Sequence, residues 1–93
     1  MPCVSPEQPV HCYSVLASPD PGLLSRVLEP FAKRGLTPQR FHAVAAGGEV
    51  TVDIQLGDVE AEVADLIAAN LRQIVCVAAV LTSVRGGAGR LSA

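Results

Sequence analysis

The segment "GGEVTVDIQLG", residues 47–57, constrains this chain more than any other. Val50, Val52, Ile54 and Leu56 alternate with Thr51, Asp53 and Gln55. Only a strand sends successive side chains to opposite faces, so the pattern requires a strand with one apolar and one polar face. Gly47 and Gly48 ahead of it tolerate positive φ at both central positions of a tight hairpin turn. The partner arm is "LTPQRFHAVAA", whose irregular start at Pro38 suits an edge strand. An apolar sheet face needs a covering layer. A chain of 93 residues is one domain with one core, so helices of the same chain must supply it.

Two helical patterns are present. In "SPDPGLLSRVLEPFAKRG" Asp20 serves as N-cap, Pro21 as the first helical residue and Gly35 as the left-handed residue that ends the helix. Leu24, Val27, Leu28 and Phe31 form its apolar stripe, with Arg26, Lys33 and Arg34 away from it. Pro30 is discordant: it removes the hydrogen bond to the Arg26 carbonyl, and a kink near the last turn is expected. The second helix opens at Gly57-Asp58, with Asp58 as cap and Glu60 and Glu62 in the first turn. Val59, Val63, Leu66, Ile67, Leu71 and Ile74 make its buried face.

"CYSVLAS", residues 12–18, and the β-branched "VCVAAVLTS", residues 75–83, read as the first and last strands. Residues 1–10, with Pro2, Pro6 and Pro9, read as an irregular arm, and the glycine-rich 84–93 as a flexible tail, leaving 11–83 as the domain. The order is β-α-β-β-α-β. Right-handed crossovers put strands 1 and 3 in the centre and both helices on one face. The expected fold is therefore α+β: a ferredoxin-like βαββαβ sandwich with a four-stranded antiparallel sheet. Its other face stays bare, with Leu16 and Val77 leaning apolar.

Composition excludes several functions. A net charge of −2 gives no general attraction to nucleic acid or to an anionic membrane. No apolar run approaches the roughly 18 residues of a membrane span, and no charged leader precedes an apolar stretch as in a signal peptide. Three cysteines at irregular spacing suit reduced thiols in a cytoplasmic protein.

No catalytic set emerges. His11 and Cys12 are adjacent on a strand, so their side chains point to opposite faces. Cys3, His11 and Cys12 match no standard zinc spacing, and neither a metal nor a cofactor is expected. Glu60, Glu62 and Asp65 read as a solvated helix face. The open face of strand 3 offers Thr51, Asp53 and Gln55 in place of the aromatics that an RNA-binding sheet needs. The first loop holds no Cys-x-x-Cys. What remains is the Asp20-Pro21-Gly22 turn, where Gly22 allows close approach and the helix start offers free N–H groups. The same turn is also sufficient simply to begin a helix.

"YSVLASPDPGLLSRVLEPFAKRGLTPQRF" resembles the opening of an ACT domain, and "EVTVDIQL" and "LRQIVCVAAV" resemble its third strand and its close. Within that family the chain is most similar to the short, single-domain small subunit of acetolactate synthase, over residues 11–82. The resemblance implies a non-catalytic regulatory module. Such domains pair side by side into a homodimer, and an amino-acid effector sits between the first loop of one subunit and strand 2 of the other. By position the effector residues are Pro19, Asp20, Pro21, Gly22, Leu23, Leu24 and Thr37. The implied partner is a thiamine-diphosphate-dependent catalytic subunit in branched-chain amino-acid biosynthesis, with valine, leucine or isoleucine as effector. Thr37 stands where amino-acid-binding members often carry Asn, and Pro19 where they carry a polar residue. The alternative is therefore a ligand-free assembly module that only oligomerises.

Overall fold

The computed structural model describes residues 9–86. Its elements are β1 (Pro9–Ala17), α1 (Leu23–Lys33), β2 (Arg40–Ala46), β3 (Glu49–Gly57), α2 (Ala61–Arg72) and β4 (Val77–Gly86). The strands form one antiparallel sheet in the order β2-β3-β1-β4, with the central pair and both edges where the topology rules place them. Both helices cover one face, in the ferredoxin-like arrangement.

The sheet is longer than its apolar pattern suggests. β1 begins at Pro9 and β4 runs to Gly86, because these two residues pair with each other at the end of the β1–β4 ladder. Residues 9, 10 and 84–86, assigned to an arm and a tail by composition, are strand. Proline is tolerated as a first strand residue, where it need not donate into the ladder. Cys3, the rest of the expected arm and the Gly-rich 87–93 lie outside the described residues.

The core is the one that the β3 alternation demands. Val50, Val52, Ile54 and Leu56 are buried with Tyr13, Val15 and Ala17 of β1. Tyr13 ties the layers together. Its ring meets Phe31 of α1 edge-on at 5.9 Å, and its hydroxyl donates to the Ala64 carbonyl of α2 at 3.0 Å. Gly47 and Gly48 take φ of 62° and 80°, which is the hairpin turn expected between β2 and β3.

Helix α1 departs from expectation at its start and on its stripe. It begins at Leu23, with Gly22 in the cap position and no side-chain cap bond, so Asp20 and Pro21 lie ahead of it. Asp20 still organises the entry: its Oδ2 accepts from the Gly22 N–H at 3.0 Å and from Arg26 Nη1 at 2.9 Å. The buried stripe is Leu23, Val27, Pro30 and Phe31, whereas Leu24 and Leu28 remain 43% and 39% exposed. Leucines flank both sides of this helix, and the side packed into the core is the one that also carries Pro30. Its ring is buried, and the helix continues through it to Lys33. At the far end Gly35 has φ 68°, its N–H bonds to Ala32, and the Leu36 N–H reaches back to Phe31. That is a Schellman closure, as the glycine's position requires.

Helix α2 starts at Ala61, not after Asp58. Asp58 instead takes φ 62°, turning the chain out of β3 in a conformation that aspartate tolerates better than most residues. The buried face is Ala64, Ile67, Ala68 and Leu71, with Val59, Val63 and Ile74 packed at its border. Leu66, expected inside, is 55% exposed. Alanines at two buried positions let the helix sit close enough for its backbone to accept the Tyr13 hydroxyl.

A register shift between Leu16 and Ala17 pairs Leu16 with Ala79 but Ala17 with Val77. This bulge rotates Val77 to the helix side, against the core, and not to the bare face beside Leu16.

Candidate functional site

Two regions emerge from this architecture, and the chain keeps them apart. The first is the set of loop positions around Asp20. Pro19, Asp20 and Pro21 are exposed at the end of the sheet where β1 finishes. The Asp20 carboxylate is already engaged by Gly22 and Arg26. A Cβ on Gly22 would meet the Arg26 guanidinium and the Asp20 carboxylate at 3.4 Å, so the glycine lets this small network close. Leu23 is 1% exposed and spends its side chain on the core, while Leu24 faces outward. Thr37 is exposed but sits at the opposite end of the sheet, because α1 runs between them. Eleven helical residues separate the two by about 16 Å. Within one chain the loop and Thr37 therefore form no common site.

The second region is the open face of the sheet, where the residues of β3 alone point to no ligand. Its strands bring Arg40, Gln55, Cys12 and Ser83 into one transverse row. The next row places Asp53 beside Ser14 and Leu81, with His42 opposite Asp53 at the β2 edge. Small side chains occupy the middle and longer ones the margins. The result is a groove of about 720 Å³, bordered by Arg40 on one edge strand and Arg85 on the other. Alternation within β3 was legible in the sequence; the placement of Arg40 and Arg85 on the two margins of one groove depends on the register and was not.

A third feature is buried. His11 is 7% exposed on the helix side of β1, and its Nε2 has no hydrogen-bond partner. Burial, and secondarily the charge of Asp65, push the Tyr13 phenol up to about 12. Among the described residues no group of three or more His, Cys, Asp or Glu is placed to hold a metal. Cys12 and Cys76 are free thiols. No helix among the described residues is long and apolar enough to cross a membrane.

The sequence of these elements matches a family model, described as an ACT-like domain, over residues 5–85. The chain belongs to the ACT-like domain family. ACT domains are regulatory ligand-binding modules and are not themselves catalytic. No curated protein sequence matches the chain. Solved structures agree on the fold. The ACT domain of GTP pyrophosphokinase from Chlorobium tepidum superposes with a TM-score of 0.71 at 12% identity, covering 82% of this chain and 99% of that one. The C-terminal domain of the MgtC protein from Mycobacterium tuberculosis gives 0.72 at 15% identity, covering 89% and 94%. A homoserine dehydrogenase from Thiobacillus denitrificans gives 0.67 at 15% identity, with 89% of this ACT-like chain covering 19% of the enzyme. At such identities the likeness is one of fold alone.

Proposed function

We propose that this ACT-like domain is a non-catalytic regulatory unit that works as a side-by-side homodimer through β2 and senses an amino acid between the two copies. The observation that carries the reading is the uncovered strip beside the β2 edge. Ala43 and Ala45 lie on the helix side of β2 yet remain exposed, and Leu24 and Leu28 of α1 stand exposed on the same side of the domain. A second copy joined by antiparallel β2–β2 pairing brings its own α1 over these alanines, which are small enough to admit it. It also covers the free backbone groups of the edge.

The same symmetry accounts for the divided loop positions. A two-fold axis perpendicular to the sheet at the β2 edge exchanges its two ends. The Pro19–Leu24 loop of one copy then faces the Thr37 end of its partner, and the effector site is complete only in the dimer. Pro19, Asp20, Pro21 and Gly22 contribute backbone and turn geometry there, Leu24 an apolar wall and Thr37 a hydroxyl.

The enzyme regulated is, on sequence resemblance, the thiamine-diphosphate-dependent catalytic subunit of acetolactate synthase, with valine, leucine or isoleucine as effector in the cytoplasm. The fold's occurrence as part of a homoserine dehydrogenase and of a GTP pyrophosphokinase supports a role beside an enzyme in general terms. Calorimetry with the three branched-chain amino acids tests the sensor: saturable heat supports it, and no heat with no shift in Tm at millimolar ligand removes it in favour of a ligand-free assembly module. Activation of, or co-purification with, the acetolactate synthase catalytic subunit tests the partner, and failure of both rules that enzyme out.

A further inference from the structure

The groove on the open sheet face is a feature of the single chain, on the opposite side of the sheet from the helices. Its floor is formed by Cys12 and Ser14 of the central strand β1, both half-buried. A volume of about 720 Å³ lies within the range of small-molecule sites. Three charged side chains border it: Arg40, Arg85 and Asp53. None of the three is paired, since the one ion pair among the described residues joins Asp20 to Arg26. The sheet register holds them apart. Arg40 shares a row with Gln55 and Cys12, whereas Arg85 stands opposite Val10, one two-residue step beyond. Asp53 stands opposite Ser14, one step in the other direction.

These positions set the charge pattern of whatever fits. Three strand spacings and one two-residue step put the arginine Cα atoms about 16 Å apart. Two long side chains rising from the margins at this spacing can flank a short carbon chain and meet a carboxylate at each of its ends. Asp53 lies to one side of that line and calls for a cation. A phosphate dianion would set its charge against Asp53, and a neutral zwitterion would leave one arginine without an anion. Two guanidiniums and one carboxylate are complementary to two carboxylates and one ammonium. Arginine binds carboxylates through a planar fork of donors, and the Gln55 amide and Ser14 hydroxyl supply neutral hydrogen bonds. We propose that this groove is a binding site for a dicarboxylic amino acid, with Arg40 and Arg85 each taking one carboxylate and Asp53 taking the ammonium.

The test is an NMR titration of the full chain with L-glutamate and with glutarate, which lacks the ammonium. Glutamate is expected to shift the amides of Cys12, Ser14 and Gln55 saturably while leaving those of Leu24 and Thr37 in place. R85A is expected to weaken glutamate at least tenfold. D53N is expected to weaken glutamate several-fold and to tighten glutarate, because only glutamate offers Asp53 a partner. Both substituted residues are exposed, so thermal melts of the variants should match the parent. No saturable shift at the open face with tens of millimolar glutamate overturns the site. A D53N effect of the same sign on both ligands overturns the assignment of the ammonium. Shifts confined to Leu24 and Thr37 would refute the groove while supporting the effector site between copies, so the two readings fail separately.

Discussion

Asp20 stands ahead of α1 and holds two donors at once, the Gly22 N–H and the Arg26 guanidinium. The two are not equal. The ion pair is exposed on both sides, 55% for Arg26 and 39% for Asp20, and pairs of that kind contribute little. The bond to the backbone fixes the turn from which the helix starts, and loss of such a bond costs about 1 kcal/mol. D20A is therefore expected to lower stability by about that amount in urea, whereas D20N and R26A stay within about 0.5 kcal/mol of the parent. His11 makes the opposite case. Its Nε2 is buried without a partner, so replacing the ring by one of similar shape without polar atoms should help. H11F is expected to raise stability by about 1 kcal/mol on the same urea curve. Tyr13 adds a pH signature. Its phenol is raised to about 12 by burial, so above pH 10 the unfolded chain loses this proton before the folded one does. The contribution is complete below pH 10 and disappears as pH rises towards 12. In Y13F, urea midpoints should lack this part of the alkaline decline, at the expense of the buried bond to Ala64 at all pH values.

At the scale of elements, Pro30 is the instructive case. The sequence marks it as a fault in an otherwise well-bounded helix, and the structure buries its ring on the core side. Both statements hold, and magnitudes decide between them. A proline in a helix interior costs about 3 kcal/mol relative to alanine, through the lost hydrogen bond and the clash. Two more buried methylenes than alanine return about 1.6 kcal/mol. P30A should thus stabilise the chain by about 1 kcal/mol, seen as a rise in Tm of about 4–8 °C. A fall in Tm would mean that the ring's packing outweighs the missing bond. The helix ends illustrate a related point. Gly35 announced the close of α1 correctly, because a left-handed residue after a helix has few alternatives. Asp20 and Asp58 announced starts that the structure places two or three residues later, because aspartate suits a turn as well as a cap.

For the whole molecule, the uncovered strip beside β2 separates a lone domain from a paired one. Leu28 is 39% exposed in the single chain, so a charge there should leave the fold intact. In the proposed dimer the same side chain lies under the second copy's α1. L28E is expected to give a monomer by light scattering with an unchanged circular-dichroism spectrum, where the parent gives a dimer. A monomeric parent would refute the pairing. Loss of branched-chain amino-acid binding in L28E together with loss of the dimer would tie the effector site to the interface.

The hairpin turn at Gly47-Gly48, the inward face of β3 and the end of α1 follow from the residues alone. Each is a local pattern that admits one solution: strict alternation means a two-faced strand, and paired glycines allow a turn that other residues resist. Packing and register settle what local patterns leave degenerate. Leucines flank both sides of α1, so only packing against the sheet chose Leu23 over Leu24 and Leu28 for the core. Val77 changed faces because a single bulge, invisible in the composition, shifted the register of β4. The grouping of Arg40, Asp53 and Arg85 around one groove belongs to the same class. Their separation along the chain says nothing of it, because a sheet joins residues by strand order and register.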